Sequence, residues 1–131
     1  METTTLDLWP TSIDIDKLPD ITTPISILKE QASLLGQKTK NIVEAEVKST
    51  DAGNGRISVS FNLVAPALNK YRYQLFQITH HGIELYPVGL SFSNRSYTAN
   101  SPEQFIEHLK KILADEKTKS VIQSLIAQSR S

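Results

Sequence analysis

Residues 42–92, IVEAEVKSTDAGNGRISVSFNLVAPALNKYRYQLFQITHHGIELYPVGLSF, decide how this chain is read. Polar and apolar side chains alternate through most of the stretch, and a period of two marks β-strands with one buried face. Ile42–Thr50 sets Val43, Ala45 and Val47 on one face and Glu44, Glu46 and Lys48 on the other. Asp51-Ala52-Gly53-Asn54-Gly55 reads as a turn, because its two glycines take positive φ without steric cost. Arg56–Ala65 alternates again, with Ile57, Val59, Phe61 and Leu63 inward and Ser58, Ser60 and Asn62 outward. Pro66–Lys70 forms the next loop, and Tyr71–His80 and Ile83–Phe92 form a last pair joined at His81-Gly82. The expectation is a four-stranded antiparallel meander.

A two-residue loop at His81-Gly82 fixes the register of that last pair. Leu75 then opposes Val88, Tyr73 opposes Leu90 and Tyr71 opposes Phe92, and together they read as the core face. The opposite face collects Phe76, Ile78, Ile83 and Leu85 beside Arg72 and Gln74. Apolar side chains gathered away from the main core need a cover. Phe76, Ile78, Ile83 and Leu85, with Trp9 near the N-terminus, are therefore the expected interaction surface. Pro87 cannot donate to a ladder, which places the fourth strand at a sheet edge.

The flanks read as helices. Thr23 suits an N-cap and Pro24 a first helical position, and Ile25, Leu28, Ala32 and Leu35 recur at helical spacing until a stop between residues 36 and 40. Ser101, Pro102 and Gln104 open a second helical region through Phe105, Leu109, Ile112 and Leu113. Val121, Ile122, Leu125 and Ile126 extend it, as a second helix or a bend of the first. The fold class is α+β: residues 1–23 form an extended acidic arm, and residues 24–131 a single domain with the C-terminal helices on one face of the sheet.

A chain of 131 residues buries a core without disulfide or metal staples, and 39% hydrophobic with 21% charged residues is ordinary for a globular protein. Cysteine is absent, which removes disulfides, thiolate catalysis and thiolate metal sites. The N-terminus lacks the basic and apolar regions of a secretory leader, and no apolar run reaches membrane-spanning length, so a cytoplasmic protein without a membrane partner is expected. Net charge is zero but unevenly spread. Residues 1–23 carry Glu2, Asp7, Asp14, Asp16 and Asp20 against Lys17, whereas residues 110–131 carry Lys110, Lys111, Lys117, Lys119 and Arg130 against Asp115 and Glu116. A zero balance argues against general nucleic-acid binding, which needs a basic excess to neutralise phosphates.

Motifs for bound phosphate, dinucleotide, zinc or calcium are missing, so no cofactor or metal and no catalytic residue is expected. The polar residues closest to a site are Arg72, His80, His81 and Glu84. Adjacent histidines in a turn project apart, and the bland reading is an exposed turn. Lys70-Tyr71-Arg72-Tyr73 interleaves basic and aromatic residues as nucleic-acid-binding sheets do, but the register puts Tyr71 and Tyr73 on one face with Leu90 and Phe92 and favours ordinary alternation with the tyrosines inward. The function expected is a non-catalytic protein-interaction or regulatory module of adaptor, chaperone-like or immunity type, with self or another protein as partner. One alternative is an enzyme or ligand-binding domain with a pocket between sheet and helices, near Tyr71, Tyr73 and Tyr86. Another is nucleic-acid binding through Lys110, Lys111, Lys117 and Lys119.

Overall fold

Hydroxyl groups fix both ends of the first helix. Thr23 Oγ1 accepts the Ser26 N–H at 3.1 Å and Ser26 Oγ accepts the Thr23 N–H at 3.2 Å, a reciprocal box that starts α1 (Pro24–Lys38). At the other end the Asn41 N–H donates to the Gly36 carbonyl at 2.8 Å, with Lys40 and Asn41 both left-handed at φ 53 and 64. Thr39 Oγ1 then accepts the Val43 N–H at 3.2 Å, clipping the helix exit to the next strand. The computed structural model describes residues 6–131; the expected arm therefore extends in part, over residues 1–5, outside the described residues.

Five strands come after α1: β1 (Glu44–Gly53), β2 (Arg56–Ala65), β3 (Tyr71–His81), β4 (Val88–Phe92) and β5 (Arg95–Ala99). They form one antiparallel sheet in the order β1-β2-β3-β4-β5, with α2 (Pro102–Leu113) and α3 (Glu116–Ser129) after it. The class is α+β, as expected, but the meander has five strands rather than four. Gly53, Asn54 and Gly55 at φ 82, 54 and 72 make the tight turn between β1 and β2.

The largest departure from the expected pairing comes from one residue of β3. Phe61 opposes Phe76 while Asn62 opposes Gln74, so Leu75 is an extra residue without a partner on β2. A β-bulge of this kind reverses the alternation beyond it. Tyr73 opposes Leu63 before the bulge and Phe76 opposes Phe61 after it, so both apolar runs of β3 point to the same side. The rings of Phe61 and Phe76 stack with centroids 4.9 Å apart.

The bulge overturns the expected outer-face surface. Phe76 is 2% exposed and Ile78 0% exposed, both in the core, and Ile78 opposes Leu90 instead of facing away from it. The chain between β3 and β4 is a loop over residues 82–87 rather than a two-residue turn, with Ile83 96% exposed and Leu85 half-buried. Phe76, Ile78, Ile83 and Leu85 thus do not share a face. Pro87 lies in that loop just before β4, which is an interior strand; β5 is the edge, reached by a turn in which Ser93 takes φ 56.

The helices cover the apolar face. Ile27 and Leu28 of α1, Phe105, Leu109 and Ile112 of α2, and Leu125 of α3 join Val59, Phe61, Ile78 and Leu90 in one core cluster. Residues 102–129, left open between one helix and two, form two. Asp115 breaks them: its Oδ1 accepts the Lys117 N–H at 2.9 Å as N-cap of α3, and its Oδ2 accepts Arg95 Nη2 at 2.7 Å. That pair ties α3 to β5. Inside the corner, Thr118 Oγ1 donates to the Ile112 carbonyl at 2.7 Å, satisfying a buried hydroxyl. The other face of the sheet is polar and bears Ser58, Ser60, Gln74, Gln77 and Ser91, with Arg72 Nη2 donating to Glu46 Oε2 at 3.2 Å.

Two measurements check this arrangement. Phe76→Ala is expected to lower the unfolding free energy by about 3–5 kcal/mol, whereas Ile83→Ala changes it by less than about 0.5 kcal/mol; urea denaturation reads both, and the reverse order would restore the unbulged register. The second concerns acid. The Lys117 N–H and then Arg95 hold the Asp115 carboxyl below the ordinary aspartate range. A folded value below the unfolded one contributes stability above the unfolded value, and that contribution is lost as pH falls through the folded value. Asp115→Ala is therefore expected to be less stable than the parent near neutrality, with the gap narrowing below roughly pH 4. A gap that does not change with pH would contradict the pairing.

Candidate functional site

An antiparallel sheet of five strands is wider than one helix, so the helical layer must divide the cover. α1 lies along β1, α2 along β5, and α3 reaches β2 between them. The division leaves a seam over the middle of the sheet. Its deeper part encloses about 290 Å³ between Leu34, Leu35 and Lys38 of α1 on one side and Leu113, Thr118 and Ile122 on the other. The floor is Phe61, Leu63 and Leu75, side chains that are themselves core. A second part, about 420 Å³, continues between α1 and α2, lined by Thr22, Ile27, Glu30, Ile106, Leu109 and Lys110 among others. Gln31 and Leu113 border both parts, so the two adjoin along α1 as a trough in two parts.

The trough is apolar with few polar groups. Thr118 spends its hydroxyl hydrogen on the Ile112 carbonyl, which leaves Gln31 and Lys38 as the free polar groups of the deeper part. Leu34 and Ile106 are exposed on its rims. Such a lining offers apolar burial and a few orienting contacts, the usual chemistry of a binding cleft.

The arm joins α1 at Thr22, which borders this trough. Every described residue from Leu6 to Thr22 is exposed, including Leu6, Leu8, Ile13, Ile15, Leu18, Ile21 and Trp9, the last at 74%. Two 3₁₀ turns, Thr11–Ile13 and Ile15–Lys17, give it local shape. Asp7, Asp14, Asp16 and Asp20 interleave with the apolar side chains against a single Lys17. Trp9, expected as part of an interaction surface, is thus on the surface but apart from Phe76 and Ile78.

The polar residues singled out from the sequence do not assemble. His80 is buried on the core side with Nδ1 2.6 Å from the His81 carbonyl, to which it donates, while His81 and Glu84 are exposed. Arg72 lies across the sheet on the polar face with Glu46. Among the described residues no three His, Asp or Glu side chains converge as a metal site would require. Of the tyrosines, Tyr71 is exposed and Tyr73 half-buried. Tyr86 has a buried hydroxyl without a partner, and burial, followed by the charge of Glu103, pushes its ionisation up. His108 is half-buried: its Nε2 lies 3.2 Å from the Thr98 carbonyl and its ring 5.0 Å from that of Tyr97, joining α2 to β5.

The trough residues were visible in the sequence only as apolar stripes of helices. Leu35, Leu113 and Ile122 all read as core, and nothing local says that their helices stand apart. One signal was available: a helical layer over a wide sheet leaves gaps unless its helices touch. Among the described residues no helix is long and apolar enough to cross a membrane. Comparison of the chain with protein families, with curated proteins and with solved structures finds no match.

Proposed function

We propose that this protein is a non-catalytic interaction module that binds an apolar, acid-bearing segment of a protein in the trough between α1 and the α2–α3 pair. The observation that carries this reading is an open cleft whose floor, Phe61, Leu63 and Leu75, is the hydrophobic core itself. An apolar segment seated there completes the core, and each buried side chain contributes on the order of 1.5–3 kcal/mol before the cost of ordering the segment. Lys38 in one part and Lys110 in the other favour carboxylates beside the apolar contacts. Glu30, in the same part as Lys110, disfavours a segment acidic along its whole length.

The volume of the deeper part, about 290 Å³, also supports a second reading, a carrier of a small apolar ligand, since such pockets begin at roughly 300 Å³. Selection from a displayed library of random peptides separates the two. The expectation is enrichment of peptides with large apolar side chains spaced among Asp and Glu, bound at least about tenfold more weakly by Leu34→Asp/Ile106→Asp. Both substituted positions are exposed, so the fold tolerates the charges. Enriched peptides that bind the variant equally well would remove the trough from the proposal. A library without enrichment, together with an apolar small molecule retained in native mass spectrometry, would favour the carrier.

A further inference from the structure

We propose that the segment seated in the trough is the N-terminal arm of a second copy of this chain, so that two protomers exchange arms. The inference rests on the binding reading above and names its partner. The chain carries both halves of the match. Its arm sets Ile13, Ile15 and Leu18 among Asp14, Asp16 and Asp20, all exposed, and its trough sets apolar walls between Lys38 and Lys110. The charges agree in sign with this pairing: the arm is acidic, and the trough lining carries Lys38 and Lys110 against Glu30.

The arm does not fill the trough of its own chain: every described residue from Leu6 to Thr22 is exposed. Thr22 borders the trough at the N-terminal end of α1, so the arm starts at its mouth. The Thr23 N–H is held by Ser26 Oγ, and Thr23 takes the extended conformation usual for an N-cap, φ −97, ψ 155. Leu18 is extended too, at φ −78, ψ 139, the conformation favoured before proline. A strand running beside α1 from Ile27 to Lys38 covers about 17 Å, a distance that five or six extended residues span. The arm therefore has residues enough to leave one protomer and fill the trough of another. In a two-fold pair the contact occurs twice, which is how a short arm reaches the roughly 1,000 Å² that a specific interface needs.

Light scattering on the size-exclusion peak tests this with the full chain. The expected mass is about 29 kDa, twice the 14.6 kDa of one chain. Ile13→Asp/Ile15→Asp/Leu18→Asp, which alters only exposed arm residues, and Leu34→Asp/Ile106→Asp, which alters only the rim, are each expected at one-chain mass. Mixed in equal amounts they retain one arm–trough contact of the two, so a two-chain complex is expected only at concentrations well above those at which the parent pairs. A full chain at one-chain mass near 100 µM, or a dimer that persists in the arm variant, overturns the exchange. A synthetic peptide of residues 6–22, titrated into the arm variant, separates the occupant from the site. Binding alongside a monomeric full chain means that the arm closes on its own trough, which overturns exchange and leaves the trough as a binding site. A peptide that fails to bind while library peptides still do overturns the arm as occupant and leaves the same site standing.

Discussion

Leu75 has no partner across the sheet, and the architecture depends on that single unpaired residue of β3. Without the bulge, Tyr73 and Phe76 would face opposite sides, and half of the apolar content of β3 would lie in water. With it, Tyr73, Leu75, Phe76, Ile78 and the buried His80 all face the helices, and β4 can pair in the register that sets Leu90 against Ile78. The opposite face is then free to be hydroxyl- and amide-rich. An extra residue costs a ladder hydrogen bond locally, which the burial of two aromatic or aliphatic side chains outweighs at about 1.5–3 kcal/mol each.

The same bulge shapes the candidate site. Leu75 belongs to the core and also to the floor of the trough, together with Phe61 and Leu63. Core and site are therefore continuous, and a segment that binds there extends the hydrophobic core rather than touching a separate surface. The corner between α2 and α3 holds the trough open. Asp115 binds α3 to β5 through Arg95, and Thr118 fixes the first turn of α3 to the last of α2, so α3 is held on one side of the seam while α1 is held on the other by Thr39 and Val43.

Charge obeys the same division. The zero balance of the whole chain conceals an acidic arm and a basic C-terminal pair of helices. Attraction between exposed charges is weak and screened by salt, so it orients an approach more than it stabilises a complex. In the proposed exchange the apolar side chains of the arm would supply the area, and the carboxylates would keep that area soluble while it is uncovered.

Much of the fold was legible because it is set by neighbours in sequence. The bounds of β2, Arg56–Ala65, come from strict alternation, and the starts of α1 at Pro24 and α2 at Pro102 come from a hydroxyl cap before proline. Those signals reach only three or four residues along the chain. β5, with Tyr97 and Ala99 as its inward apolar residues in five positions, is too short to announce itself and exists because β4 offers an edge to pair with. The division of residues 102–129 turns on a carboxylate that meets Arg95 from another element. The bulge at Leu75 is likewise invisible locally, since alternation reads equally well on either side of it and only the pairing with β2 reveals the extra residue. The sequence by itself determined the elements and their apolar faces. The tertiary structure decided which of those faces are core, because that depends on strand register and on how far apart the helices sit, and neither is a property of any one segment.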